Sequence, residues 1–139
     1  MGMDVYGIEP SSKAGEYFRA SIWEWRPIHE LIALLCGDLL GARLLEEMAY
    51  NGGAGPQERE ICSKMAERFD AWLVVDPRRE FAWANDSGSL RVTKEGRFIT
   101  DSELAKEPNL VTCSPYSVRR EEVMEFVEFL KSCGGFCVW

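Results

Sequence analysis

Apolar residues recur at three- and four-residue spacing in several stretches of this chain, and each stretch is closed by glycine or proline. Ile28, Leu31, Ile32 and Leu35 run up to Cys36-Gly37, and Leu40, Leu44, Leu45 and Met48 end at Tyr50-Asn51-Gly52. Ile61, Met65, Phe69, Trp72 and Leu73 stop at Asp76-Pro77. Val123, Phe126, Val127 and Leu130, widened by Met124 and Phe129, end at Gly134. A period near 3.6 puts each set on one face of a helix, and each face needs something to bury it. The expected fold is therefore α+β: one predominantly helical domain over residues 1–139, with about four main helices and a small antiparallel β element.

Breakers and caps suggest where the helices start. Pro27 suits a first helical position, where a missing N–H costs nothing. Asp38 is a candidate cap for the second helix, which should pair antiparallel with the first. Pro56 or Gln57 opens the third, with Glu58 and Glu60 in its first turn, where negative charge suits the helix dipole, and Glu60 spaced to pair with Lys64. Ser117 is placed to cap the last helix, and Gly134 to close it.

Elsewhere the pattern is extended. Met3–Ile8 reads as a strand ending at Glu9-Pro10-Ser11-Ser12, and Ser11 or Ser12 is expected to cap a short helix through Tyr17 and Phe18. Residues 76–116 change character. Turns at Asn85-Asp86-Ser87-Gly88 and Lys94-Glu95-Gly96 flank runs at Phe81–Ala84, Leu90–Val92 and Arg97–Ile99, with Leu90–Ile99 as the best hairpin and one helical turn allowed in Asp101–Leu110. Phe136-Cys137-Val138-Trp139 is too apolar for water and is expected to be a terminal strand pairing with Met3–Ile8, with Trp139 buried.

Charge and cysteine usage narrow the function classes. The formal net charge of −7 on 139 residues disfavours non-specific nucleic-acid or anionic-membrane binding. The acidic residues are spread along the chain, which weakens a nucleic-acid-mimic reading without removing it. Asp4 and Glu9 stand where an export signal needs a basic start and an apolar run, so a cytoplasmic protein is expected. The five cysteines, Cys36, Cys62, Cys113, Cys133 and Cys137, then read as reduced thiols. With His29 as the sole histidine and no zinc spacing, neither a structural metal nor a cofactor is expected.

The densest block of aromatic, charged and turn-forming residues is Met1–Leu35. It contains MDVYGI, then GEYFR, then Trp23-Glu24-Trp25-Arg26-Pro27; an Asn51-x-Gly53-x-Gly55 loop and a helix ending in Gly134-Gly135-Phe136 follow later. In these motifs the chain resembles a family of small uncharacterised bacterial and bacteriophage proteins. It departs from the family pattern at Ala20-Ser21, where the family carries two asparagines, and at His29, where it carries an aromatic residue. The resemblance implies a setting on phage or other mobile DNA and implies no activity. It singles out Asp4, Tyr6, Tyr17, Arg19, Trp23, Trp25, Arg26, Asn51, Gly53, Gly55 and Phe136.

Read physically, most of the area of Tyr17, Phe18, Trp23 and Trp25 is expected in the core. Arg19 and Arg26 can stack on those rings or pair with Asp4, Glu16 or Glu24. Arg26, just before Pro27, is expected at a helix N-terminus, where a cation is misplaced and needs a carboxylate, a ring or an anionic partner. The Asn51–Pro56 loop reads as an interhelix turn rather than an anion-binding nest, since it lacks a P-loop ending. His29 and Cys36 lie ~10 Å apart along a helix, too far for a catalytic pair. No catalytic residue is assigned, and the chain leans away from enzymes. The leading expectation is an interaction protein that binds a protein partner or its own copy through an N-terminal aromatic–arginine surface. The alternatives are a small-ligand binder or enzyme with a pocket of Asp4, Tyr6, Tyr17, Arg19 and Arg26, and an acidic counter-defence protein mimicking nucleic acid.

Overall fold

A computed structural model describes residues 2–75, 89–92, 98–100, 105–106, 109 and 118–139. In chain order the elements are β1 (Gly2–Gly7), a 3-10 turn (Lys13–Gly15), β2 (Tyr17–Ser21), α1 (Ile22–Leu40), α2 (Ala42–Met48), α3 (Arg59–Val75), β3 (Ser89–Val92), β4 (Phe98–Thr100), β5 (Val118–Arg119), α4 (Arg120–Ser132) and β6 (Phe136–Val138). The fold is predominantly helical α+β, as the spacing of apolar residues predicts. The expected Phe81–Ala84 strand, the turns at 85–88 and 94–96, the Ser117 cap, the Asp76-Pro77 stop and Cys113 fall outside the described residues.

The first sheet has the order β2-β1-β6, antiparallel throughout. Val5 lies opposite Phe18 on one side and Val138 on the other, so the terminal strand pairs with the first, as expected. Alternation then sorts the side chains. Met3, Val5, Phe18, Ala20, Phe136 and Val138 are all buried on the inner face. A second sheet, β4-β3-β5, contains the expected hairpin, with Leu90 opposite Thr100 and Val92 opposite Phe98.

Tyr17–Ser21 is a strand, where a short helix was expected; only Lys13–Gly15 forms a helical turn. The alternation of buried Phe18 and Ala20 with outward Tyr17 and Arg19 matches a sheet with one covered face, and tertiary burial overrides the turn signal. Helix α1 begins at Ile22, five residues before Pro27. Ser21 caps it: its hydroxyl accepts the Glu24 N–H at 3.1 Å while Glu24 accepts the Ser21 N–H at 3.1 Å. This reciprocal box satisfies two orphan donors and outweighs the proline as a start signal. Pro27 lies inside the helix, on its buried face.

The α1–α2 break falls at Gly41, whose φ of +81° ends the helix, rather than at Cys36-Gly37. Asp38 is thus within α1 and caps nothing. It pairs with Arg68 of α3 through two hydrogen bonds, at 2.6 and 2.9 Å, and Arg68 also donates to the Leu35 carbonyl at 2.9 Å. Helix α3 starts at Arg59, with the expected Glu60–Lys64 pair at 3.4 Å.

The core forms where α1, α3 and α4 cover the inner sheet face. Phe126 of α4 is its hub: its ring centroid lies 5.2 Å from Phe18, 5.9 Å from Phe69, and 6.1 Å from both Trp25 and Phe136. Tilted and edge-on pairs of this kind contribute about 0.5–1.5 kcal/mol each beyond simple burial. Cys36 is enclosed beside them, and burial pushes its thiol up to about 12, in keeping with a small apolar filler. Among the described residues no helix is long and apolar enough to cross a membrane.

Candidate functional site

The outer face of the first sheet is laid down by the same alternation that builds the core. With Met3 and Val5 inward, Asp4 and Tyr6 must point outward; with Phe18 and Ala20 inward, Tyr17 and Arg19 must do the same. Register brings them into rows, Asp4 opposite Arg19 and Tyr6 opposite both Tyr17 and Cys137. Asp4 and Trp139 exchange backbone hydrogen bonds, which adds Trp139 to the first row. The face therefore carries Arg19, Asp4 and Trp139 in one row, with Tyr17, Tyr6 and Cys137 in the next.

The side chains on this face hold one another in place. The Tyr6 and Tyr17 rings are tilted at 42° with centroids 5.1 Å apart. The Tyr17 hydroxyl donates to the Asp4 carboxylate, and Arg19 Nε lies 3.8 Å from the same oxygen. Bonding to Asp4 raises the Tyr17 phenol above its ordinary value, so it stays protonated and donating at neutral pH. Tyr6, Tyr17 and Trp139 nevertheless remain 48%, 43% and 53% exposed. This arrangement offers apolar rings with hydroxyl and charged groups beside them, a surface suited to binding.

The other sequence-predicted residues separate. Trp23 and Trp25 are two positions apart on α1, about 200° around the helix, so they cannot share a face. Trp23 is exposed, whereas Trp25 is in the core, its Nε1–H donating to the Met48 carbonyl at 3.0 Å. Trp25 is thus removed from the binding surface and fastens α2 to α1. Arg26 is exposed in the second turn of α1 rather than ahead of the helix, so the expected dipole conflict does not arise at its position. It borders a separate concavity of about 180 Å³, lined also by Trp25, His29, Glu30, Ala49 and Tyr50. His29 is held there by its Nε2, 2.5 Å from the Leu45 carbonyl oxygen.

The glycine loop is a strap on the sheet edge. Gly53 N–H donates to the Val138 carbonyl at 2.7 Å, Val138 N–H to Ala54 at 2.8 Å, and Phe136 N–H to Pro56 at 2.8 Å. Gly53, at φ +89°, lies under the Trp139 ring, and a Cβ there would meet the ring at 2.7 Å. A Cβ on Gly55 would meet the Phe136 carbonyl oxygen at 2.1 Å. Both glycines are therefore explained by close approach to β6. Asn51 is exposed in the turn before them, and Phe136 is core.

Trp139 was expected to be buried and is instead half exposed, its backbone ordered by Asp4. The signal for its place was available. A terminal strand that sends Phe136 and Val138 inward must send Cys137 and Trp139 outward. Among the described residues, no group of three or more His, Cys, Asp or Glu side chains is arranged to hold a metal ion. Comparison with protein-family models, with characterised proteins and with solved structures gives no match.

Proposed function

We propose that this chain is a small interaction protein that binds a protein partner, or a second copy of itself, through the outer face of its first sheet. The observation that carries the reading is the outward placement of Tyr6, Tyr17 and Trp139 on a sheet whose other face is core. Tyrosine, tryptophan and arginine are the residue types that most often anchor interfaces. Here the Tyr6–Tyr17 contact and the Tyr17–Asp4 hydrogen bond also restrict the rings before any partner arrives, which lowers the ordering cost of binding. Trp23 and Arg26, on α1, are not needed for this reading. A mobile-DNA setting rests on the sequence resemblance alone.

The alternative of one pocket built from Asp4, Tyr6, Tyr17, Arg19 and Arg26 has less support, because Arg26 borders a different concavity from the sheet-face residues. For the nucleic-acid-mimic reading, the face pairs its carboxylate with Arg19 rather than presenting a row of negative charges.

The test is site-specific photocrosslinking in the cell that makes the protein. A benzophenone amino acid at Tyr6 is expected to give a covalent adduct. The same group at Leu34, exposed on α1, should give none. An adduct of twice the chain's mass identifies self-association, and any other discrete mass identifies a partner. No adduct from Tyr6, together with a monomer by sedimentation, defeats the proposal.

A further inference from the structure

The first sheet has one open edge among the described residues. Strand β6 is closed on its far side by the glycine strap, and β1 lies between β6 and β2, so the open edge belongs to β2. In a strand the N–H and C=O of one residue point to the same side, and successive residues alternate. Asp4 exchanges its backbone bonds with Trp139, so Met3 and Val5 turn theirs the other way, toward Ala20 and Phe18 of β2. The Glu16 carbonyl, which accepts the Gly7 N–H at 3.0 Å, fixes the same phase. Tyr17 and Arg19 therefore direct their N–H and C=O groups away from β1, and these groups have no hydrogen-bond partner among the described residues. At Ser21 the outward series ends, because its N–H is already taken by Glu24.

We propose that a second copy of this chain adds its own β2 to this edge, antiparallel about a two-fold axis at Phe18, so that one sheet runs through both copies. This rests on the reading of the first sheet as an interaction surface, and it specifies the partner and the mode of pairing. With Phe18 opposite Phe18, Tyr17 of each copy lies opposite Arg19 of the other, and each such pair exchanges both of its backbone hydrogen bonds. Every outward N–H and C=O of Tyr17 and Arg19 is then satisfied. The side chains agree with this register. Each guanidinium stands across from the tyrosine ring of the other copy, at a Cβ separation of about 5 Å, which suits a cation–π contact. Asp4 flanks the same guanidinium from within its own copy. Neighbouring registers fit worse: Arg19 opposite Arg19 sets like charges together. Tyr17 opposite Tyr17 puts Arg19 against Gly15, in the 3-10 turn where the strand has already ended.

An open edge accepts extended chains of many sequences, and a charged side chain on it discourages unselective pairing. Arg19 does so here while remaining acceptable to its own kind, since Tyr17 of the other copy receives it. The pairing also joins the two outer faces. Tyr6 and Tyr17 of one copy continue directly into Arg19 and Asp4 of the other, in the same row.

The test is backbone amide exchange by NMR on the full-length wild-type chain at low and at high protein concentration, with sedimentation of the same samples to report mass. Salt is added to screen the repulsion between two chains of net charge −7. The expected result is a dimer at high concentration, in which exchange at Tyr17 and Arg19 slows about tenfold or more, while Phe18 and Ala20 are protected at both concentrations. Arg19→Pro removes one outward N–H and leaves the ladder to β1 whole, as proline on an edge strand does, so this variant should stay folded and monomeric. Where it fails to fold, exchange in the wild type decides. A dimer whose Tyr17 and Arg19 amides exchange as fast as in the monomer overturns edge pairing and leaves the sheet face as the interface. A folded Arg19→Pro that dimerises like wild type overturns it equally. A monomer at every concentration overturns the second copy as occupant, and the adduct from Tyr6 then reports separately on a different partner.

Discussion

Asp4 and Trp139 exchange both of their backbone hydrogen bonds, Asp4 N–H to the Trp139 carbonyl at 2.7 Å and Trp139 N–H to the Asp4 carbonyl at 2.6 Å. The final residue is thereby fastened to the middle strand of the first sheet. Its ring stands outside the core, in the same row as Asp4 and Arg19, and rests over Gly53. The backbone of the C-terminus is structural, while its last side chain belongs to the candidate binding face.

These two roles are separable by mutation. Deleting Phe136–Trp139 removes two fully buried side chains, a strand and the partner of the glycine strap. The loss of the Phe136 ring alone is of the order of 3–5 kcal/mol. Trp139→Ala keeps every backbone bond and should cost less than about 1 kcal/mol. Urea denaturation of both variants checks this; similar costs for the two would show that the exposed ring, rather than the strand, carries the stability.

A second prediction separates the tryptophans of α1. Trp25 is buried and donates to the Met48 carbonyl, so Trp25→Ala should cost about 3–5 kcal/mol. Trp23 is 57% exposed, and Trp23→Ala should cost under about 1 kcal/mol. Indole emission gives a parallel check: the Trp23 variant should lose red-shifted intensity, and the Trp25 variant blue-shifted intensity. Equal destabilisation by the two changes would contradict the assignment of faces.

How much of this was legible in the sequence depends on which signal each element obeyed. The faces containing Ile28–Leu31–Ile32, Met65–Phe69–Trp72 and Phe126–Val127–Leu130 were readable because period alone fixes them, and all nine residues are buried. The start of α1 was misplaced because Pro27 is a conspicuous breaker, whereas the true signal was the quieter Ser21-x-x-Glu24 box. Strand β2 was missed because the serines before it suggested a helix cap, although Tyr17–Ser21 alternates cleanly. Of the five residues named for one pocket, Asp4, Tyr6, Tyr17 and Arg19 share a sheet face, whereas Arg26 lies on α1. Trp25 entered the candidate surface through the family resemblance, although the area of its ring argued for the core, where it lies.

Arg26 supplies a third prediction. It is exposed and has no ion-pair partner among the described residues. Arg26→Ala should therefore change the free energy of unfolding by no more than about 0.5 kcal/mol. Thermal melts of the two proteins check it. A clear loss of stability would make Arg26 a structural residue and would end any role for it in recognising a partner.

The last prediction concerns pH. Glu24 and Glu122 each accept the N–H of their helix's N-cap residue, at 3.1 Å in both cases, where α1 and α4 begin. Burial first, then the neighbouring Glu24 carboxyl, raises the Glu122 value above 4.5, although the bonds from Arg119 oppose the shift. A carboxyl that holds its proton more tightly when folded stabilises the protein below its unfolded value, and that contribution is lost as pH rises through the folded one. Wild type should thus give up stability over the interval just above pH 4.5 on this account. Glu122→Gln cannot ionise, yet its amide oxygen can still accept the Arg119 N–H. Its unfolding free energy should fall less over that interval, so that its stability relative to wild type improves toward neutral pH, less whatever the lost Arg119 ion pair contributed. Denaturation series at several pH values on both proteins measure the difference. A gap between them that stays constant from acid to neutral pH would show that folding does not raise the Glu122 value.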